Sequence, residues 1–488
     1  MFRHLSVIVT LLLVTPLRAG SFEEAEADTL VRNALKAWDV PGAAVVVVSR
    51  DRVLYLKGHG VKELGKPAPV DPDTVFPLAS CSKAFTSVLI SQLADEGKLT
   101  WDDSVRKHLP DFHLSDPVAD AGVALRDLMC HRTGVAQHDF VWYHSPFKQD
   151  EIVRRVGFLP LSKPFRTTFQ YQSVMVTAAG LAAGRAANKP WEDLIRERIL
   201  EPLDMPHTTC VTPVNGRAAP HRPNAAGKLE PIAWYEQNEP NPSSSIHTTA
   251  RDLSHWLAFQ LGDGQFLGKR LVSSEGLKET HTPQIPEKLE GLGRLLQPDT
   301  LMMSYGLGWV IHDYRGHLLW SHTGLIDGFR VQMALAPREG LGIAVLSNRF
   351  ETRMNLALVN NFLDRMLDLS VRDWDGYLRQ VVHEEAKAVA KERDDHDLRR
   401  DPAGKPARPL SDFAGKYENA AYGTAEVVVE GNSLVWHWNK FRVPMRFWRG
   451  LEFDLSDRDL RDQQLTFVEQ DGKFTGFRLF DVEWQAKR

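Results

Sequence analysis

The chain has 488 residues, 43% of them apolar and 25% charged. That balance is typical of a globular protein, and the length points to more than one domain. A formal net charge of −4, a pI near 6.5 and no long basic run argue against nucleic acid as a partner.

Met1-Phe2-Arg3-His4 is short and basic. Leu5 to Val14 is apolar apart from Ser6 and Thr10, and Ala19-Gly20-Ser21 supplies small residues. The pattern predicts an export signal over 1–21, removed on secretion to the periplasm or outside the cell. An uncleaved membrane anchor is the alternative. The apolar stretch is about half the ~20 residues needed to span a bilayer. No later segment is long and apolar enough, so no stable membrane span is expected after cleavage. Cys81, Cys130 and Cys210 allow one intrachain disulfide at most and read as small buried hydrophobes.

Residues 22–38 carry acidic and apolar positions at helical spacing and stop at Asp39-Val40-Pro41-Gly42. Ala43–Val48 and Val53–Leu56 read as a buried hairpin. The extended run Thr74–Ala79 leads into a helix from Ser80 to about Glu96, with Ala84, Val88, Leu89, Leu93 and Ala94 along one side. Residues 100–265 are mostly helices and loops, including an amphipathic helix from Trp191 to Leu203. Strands return at Tyr305–Val310, His317–Ser321, Phe329–Ala336 and Leu341–Ser347. The expectation is an α+β domain over 22–368 whose sheet uses both of its ends. A charged helical linker follows over 369–408. A small all-β, barrel-like domain over 409–488 has turn signals at Glu430-Gly431-Asn432 and Asp471-Gly472.

Ser80-Cys81-Ser82-Lys83 carries the chemistry. A serine hydroxyl needs a base beside it to act as a nucleophile. Positions i and i+3 share a helix face, so the Lys83 amine can reach the Ser80 oxygen. Two other Ser-x-x-Lys matches, at Ser104–Lys107 and Ser145–Lys148, lie in polar or Pro-containing surroundings. Only Ser80 opens a helix after a strand, where the first amides can polarise an oxyanion. His-Glu-x-x-His, Cys-x-x-Cys, the phosphate-binding Gly-x-x-x-x-Gly-Lys-Ser/Thr and Gly-x-Ser-x-Gly are all missing. No cofactor or metal is expected.

Several ordered segments resemble the serine β-lactamase and penicillin-binding-protein superfamily, in its branch of class C-like esterases and D-amino-acid-specific peptidases. They are Phe76–Lys83, Asp127–Gly134, Glu201–Met205, Thr248–Leu253, Tyr305–Trp309 and His322–Gly324. The segment from Leu410 to Tyr417 looks like the β-barrel domain often appended to that branch. The resemblance implies a β-lactamase-like fold and acyl transfer by Ser80 and Lys83. Tyr171, in Phe169-Gln170-Tyr171-Gln172-Ser173, takes the place of the family's Tyr-x-Asn tyrosine, and Ser173 replaces its asparagine. The literal match Tyr417-Glu418-Asn419 lies in the β domain.

His322-Thr323-Gly324 takes the place of Lys-Thr-Gly, and the Leu325 amide would join the Ser80 amide as an oxyanion hole. Histidine for lysine weakens the hold on a substrate carboxylate, because an imidazole of pKa ~6.5 is mostly neutral above pH 7. Its protonation at low pH should favour anionic substrates. Arg132-Thr133-Gly134 is read as a structural turn. Trp142, Tyr143 and His144 are read as core packing, with a pocket wall as the alternative. The implied function is an exported serine hydrolase of small or peptide-like esters or amides. A β-lactamase or D,D-peptidase is the alternative within the family, and a non-catalytic scaffold the alternative outside it.

Overall fold

Four consecutive valines, Val45–Val48, are all buried. Strand side chains alternate between faces, so such a run belongs in the middle of a sheet covered on both sides. The computed structural model describes residues 23–455, 457–460 and 463–487; the segment read as an export signal lies outside them. The valines form β1 (Gly42–Ser49), preceded by α1 (Glu24–Ala37) and returning antiparallel as β2 (Val53–Gly60) across a bulge at Val47/Val48. A long excursion then carries α2 (Ser82–Asp95), α3 (Ser173–Ala187) and α4 (Ala250–Leu261). The chain comes back as β3 (Ile285–Pro286), β4 (Met303–Tyr305), β5 (Val310–Tyr314), β6 (His317–Ile326), β7 (Phe329–Ala336) and β8 (Leu341–Ser347). The sheet order is β2-β1-β8-β7-β6-β5-β4-β3. Both ends of the unit therefore meet at its centre, where β1 pairs with β8.

Val45 and Val47 face the layer of α1 and α5 (Met354–Met366). Ala44, Val46 and Val48 face α4 and the helical subdomain. Every residue from Ser82 to Leu93 of α2 is buried, not one side alone. Several of its polar members are paired inside, while Ser87 Oγ has no partner among the described residues. Thr86 donates to Pro242 O (2.7 Å), Ser91 to Gly276 O (2.9 Å), and Gln92 to the carbonyls of Arg198 (3.1 Å) and Leu271 (3.0 Å). Polarity in α2 thus marks hydrogen bonds to neighbouring segments rather than a wet face. Phe85 stacks on Trp256 of α4 at 3.6 Å.

The structure redraws two expected strands. Tyr305–Val310 is broken, because Gly306–Trp309 form a connection between β4 and β5. Gly308 there has φ +86°, and a Cβ on it would lie 2.9 Å from the Lys83 carbonyl. In turn β6 runs past Ser321 to Ile326, so His322-Thr323-Gly324 lies within a strand. The helix expected from Trp191 to Leu203 is regular only to Ile195 and continues in a wider turn over Arg196–Leu200.

A 25-residue helix, α6 (Trp374–Leu398), leads to eight strands, β9 (Gly415–Asn419) to β16 (Val482–Ala486). Each pairs with the next, and β9 pairs with β16, closing a barrel. Alternating inward residues such as Phe441, Val443 and Met445 fill it. The barrel rests on the loop after Gln137. His138 hydrogen-bonds the Tyr422 hydroxyl (2.8 Å), Phe140 stacks on Phe480 (4.8 Å), and Arg222 pairs with Asp459 (2.9 Å).

Phe85→Ala should lower stability by about 3–5 kcal/mol, the usual cost of a large buried cavity. Urea denaturation measures it, and a loss under about 1 kcal/mol would contradict the central placing of α2.

Candidate active site

The turn before α2 is strained. Leu78 N–H bonds Ile246 O at 2.8 Å, holding Phe76–Pro77 against His247–Thr248. Ala79 then adopts φ +46°, a left-handed conformation unfavourable for a residue with a Cβ. One helical turn, Ala79–Cys81, follows. It leaves Ser80 partly exposed and sends Cys81 inward. The Cys81 thiol lies 3.5 Å from His322 O, and burial pushes its pKa up. All three cysteines are free and buried, as their reading as hydrophobes requires.

Lys83 is fully buried, and its Nζ donates to Ser80 Oγ (3.1 Å), Ser243 O (3.2 Å) and Ser173 Oγ (3.4 Å). No carboxylate among the described residues touches it. Burial disfavours the ammonium and brings the pKa down to about 7, against a weaker opposing field from Asp139. Burial thus makes the neutral amine accessible at physiological pH.

Tyr171 lies over this pair, its ring centroid 4.8 Å from Lys83 Nζ, with the Ser80 and Ser173 hydroxyls facing the phenol. Burial pushes the phenol pKa up, so it is a neutral proton donor. Ser173 opens α3, and Gln172 caps that helix by accepting from Val174 N–H. Behind Tyr171 stands the buried His131, centroids 4.4 Å apart, its Nδ1 accepting from Gln172 N–H (3.2 Å).

Gly324 shows why β6 needs a glycine there. A Cβ would sit 2.1 Å from Leu78 O, so the strand reaches the Ser80 turn only without a side chain. This contact sets the Leu325 backbone beside that of Ser80. Thr323 and Leu325 are exposed.

His322 departs from the expectation. Its side chain is buried, Nδ1 lies 2.7 Å from Thr323 O and Nε2 lies 2.9 Å from the Tyr305 hydroxyl. A carbonyl only accepts, so Nδ1 carries the proton and Nε2 accepts from Tyr305. Burial, with the Lys83 charge nearby, takes its pKa down to about 3. No free donor is left for a substrate carboxylate, and burial opposes protonation at mildly acid pH. The expected low-pH preference for anions therefore loses its basis in His322.

The segment Asn241–Ser245 is the part of the site that sequence reasoning missed. Asn241 Oδ1 accepts from Thr177 Oγ1, Ser243 N and Ser243 Oγ at 2.8–2.9 Å, and Ser82 Oγ accepts from Ile246 N. These bonds fix the Ser243 carbonyl over Lys83. The polar run Asn241-Pro242-Ser243-Ser244-Ser245 is the only signal for it. Arg132 is structural as expected, bonding the buried Asp127 at 2.6 Å. Tyr143 stacks on Tyr235 (5.1 Å) and donates to both oxygens of Asp327 (2.8 Å), at the turn just beyond Leu325. The Ser80 hydroxyl, the buried Lys83 amine and the Tyr171 phenol thus converge on one point, a set suited to acyl transfer.

Known proteins are similar in sequence and in fold. The family model described as Beta-lactamase matches residues 27–362, and one for a domain of unknown function, DUF3471, matches 399–488. The "Unguisins hydrolase ungD" of Aspergillus violaceofuscus is 28% identical over 448 residues, covering 85% of this chain and 77% of that protein. "Protein flp" of Staphylococcus aureus strain MW2 is 25% identical over 347 residues, covering 68% of this chain and 64% of that protein. In fold, the chain resembles the octameric penicillin-binding protein homologue from Pyrococcus abyssi. The TM-score is 0.63 at 18% identity, over 95% of this chain and 100% of that one.

The ¹⁵N shifts of His322 should remain those of a neutral Nδ1–H ring from pH 8 to pH 5. A titration midpoint above pH 5 would contradict the Tyr305–His322–Thr323 bonding.

Proposed function

The chain belongs to the beta-lactamase family, and on that premise we propose that it is a serine hydrolase working through an acyl-enzyme at Ser80. The observation that carries the proposal is the 3.1 Å contact of Ser80 Oγ with an amine whose pKa is lowered to about 7. Neutral Lys83 takes the Ser80 proton as Oγ attacks a carbonyl. The Ser80 and Leu325 amides hold the tetrahedral oxyanion. Tyr171 gives its phenolic proton to the leaving group and is reprotonated from Lys83. Water then adds to the acyl-enzyme, the Ser80–acyl bond breaks, and the carboxylic acid leaves with Ser80 restored. No step calls on a cofactor.

The substrate is an ester or peptide-like amide. The occupied, neutral His322 speaks against tight binding of a β-lactam or peptide carboxylate. The name of one relative, a hydrolase, agrees with a hydrolytic reaction. A non-catalytic scaffold fits less well, because the changes at Ser173 and His322 leave the Ser80–Lys83 contact intact.

A fluorophosphonate probe should label Ser80, and Ser80→Ala should lose labelling and at least about 10³-fold in nitrophenyl-ester hydrolysis. Wild-type turnover by that variant would sink the proposal. A base acts when deprotonated, so the acylation rate should rise as pH passes about 7 and level off above it. Lys83→Arg, charged throughout, should be inactive across the range. Stopped-flow acylation by a nitrophenyl ester from pH 5.5 to 9 reads both, and a flat wild-type profile would remove Lys83 as the base.

A further inference from the structure

A cavity of about 140 Å³ borders the segments that carry the site, with Ser80 itself outside its lining; its size is close to the ~150 Å³ that holds a benzene-sized group. Three of its wall residues are chain neighbours of the catalytic parts. Ser244 follows the carbonyl that binds Lys83, Ile326 follows Leu325, and Pro77 ends the short strand three residues before Ser80. A substrate carbonyl held at Ser80 would therefore lead a substituent into this space.

The charged residues that line the cavity are acidic, and the cation at its wall, Arg217, lies over the Trp234 ring at 4.9 Å. Trp234, Tyr235 and Phe329 supply apolar walls, Glu239 and Asp327 are the charged residues lining it, and no lysine or arginine does. Asp327 has a neutral donor, the Tyr143 hydroxyl. The nearby Arg222 is taken by Asp459 at 2.9 Å, and among the described residues Asp327 has no ion-pair partner. Acceptors accumulate around it. Gln237 gives its amide N–H to Ser244 Oγ (3.1 Å), and its Oε1 has no partner. The His247 ring, 6% exposed, also lines the space, and burial keeps it neutral with a pKa of about 4. An unfilled Gln237 acceptor and carboxylates without an ion pair in a partly dry cavity call for a ligand that donates hydrogen bonds and carries positive charge.

We propose that this cavity is a specificity subsite for an ammonium-bearing substituent of the substrate, with Asp327 as its main counter-charge and Glu239 and Gln237 as further acceptors. The proposal rests on the acyl-enzyme reading above and deepens it. The preferred substrates are esters or amides with an amine a few bonds from the scissile carbonyl. Those with a carboxylate there are the poorest.

The test uses the full chain and three nitrophenyl esters of matched shape: cyclohexanecarboxylates with aminomethyl, ethyl or carboxymethyl at the 4-position. A parallel set carries the same groups on the alcohol side. In at least one set, the amine should raise kcat/KM at least tenfold over the ethyl compound, and the carboxylate should lower it. Asp327→Asn should bring the amine-to-ethyl ratio to within about twofold of one. The ratio is taken within one variant, so a general loss of activity does not enter it. Glu239→Gln, at a partly exposed site, should lower the same ratio if Asp327→Asn does not fold. Equal rates for amine and ethyl esters in both wild-type sets would overturn the subsite while leaving Ser80 catalysis standing. A preference that survives in whichever of these variants folds would overturn it too. Failure of the acyl-enzyme reading looks different: no ester is cleaved and Ser80 takes no fluorophosphonate.

Discussion

The desolvation of one amine governs the arrangement around Ser80. Lys83 lies wholly inside the protein with two hydroxyls and one carbonyl as partners and no carboxylate in contact. An ion so placed loses much of its hydration and gains little in return, so its pKa falls toward neutrality. That is costly for folding and useful for proton transfer, the usual tension at a reactive site. The neighbouring structure serves to keep the amine dry and correctly aimed. Helix α2 is buried on all sides, Asn241 clamps the Ser243 carbonyl, and Gly308 lets the β4–β5 connection close against the Lys83 backbone.

The same dryness sets the protonation of the surroundings. Burial holds Tyr171 as a neutral phenol, and burial together with the charge Lys83 can carry holds His131 and His322 as neutral imidazoles. His322 is therefore not a weak copy of a lysine. It is a linker, passing a hydrogen bond from Tyr305 to its own strand and bracing β6 beside the Ser80 turn. Substrate charge is met instead at the far end of β6, where Asp327 lies next to Tyr143.

The loop from His138 to His144 ties the two domains to the site. His138 and Phe140 dock the barrel through Tyr422 and Phe480, His144 meets Phe441 (5.7 Å), and Tyr143 braces Asp327. The cluster at 142–144 thus packs on the core and forms part of the domain interface. Its aromatic composition could not separate these roles, because both bury rings.

The α+β plan with a trailing barrel was legible because β-branched runs such as Val45–Val48, Gly-containing turns and barrel alternation are local patterns. The Ser80–Lys83 pair was legible for the same reason: one helical turn fixes their contact whatever the rest of the chain does. Tyr171, Gly324 and Leu325 came from resemblance, not from spacing, since 88 or more residues separate each of them from Lys83. Three things had no local signature. The Ser243 carbonyl over Lys83 is backbone, invisible in residue type. The fate of His322 depended on Tyr305, seventeen positions away but adjacent in the sheet. The polar residues of α2 looked solvent-facing until Pro242, Gly276 and Arg198 supplied their acceptors. Sequence alone determined which groups could react. Only the tertiary structure decided their protonation, because a pKa follows from what surrounds a group, and those surroundings come from distant parts of the chain.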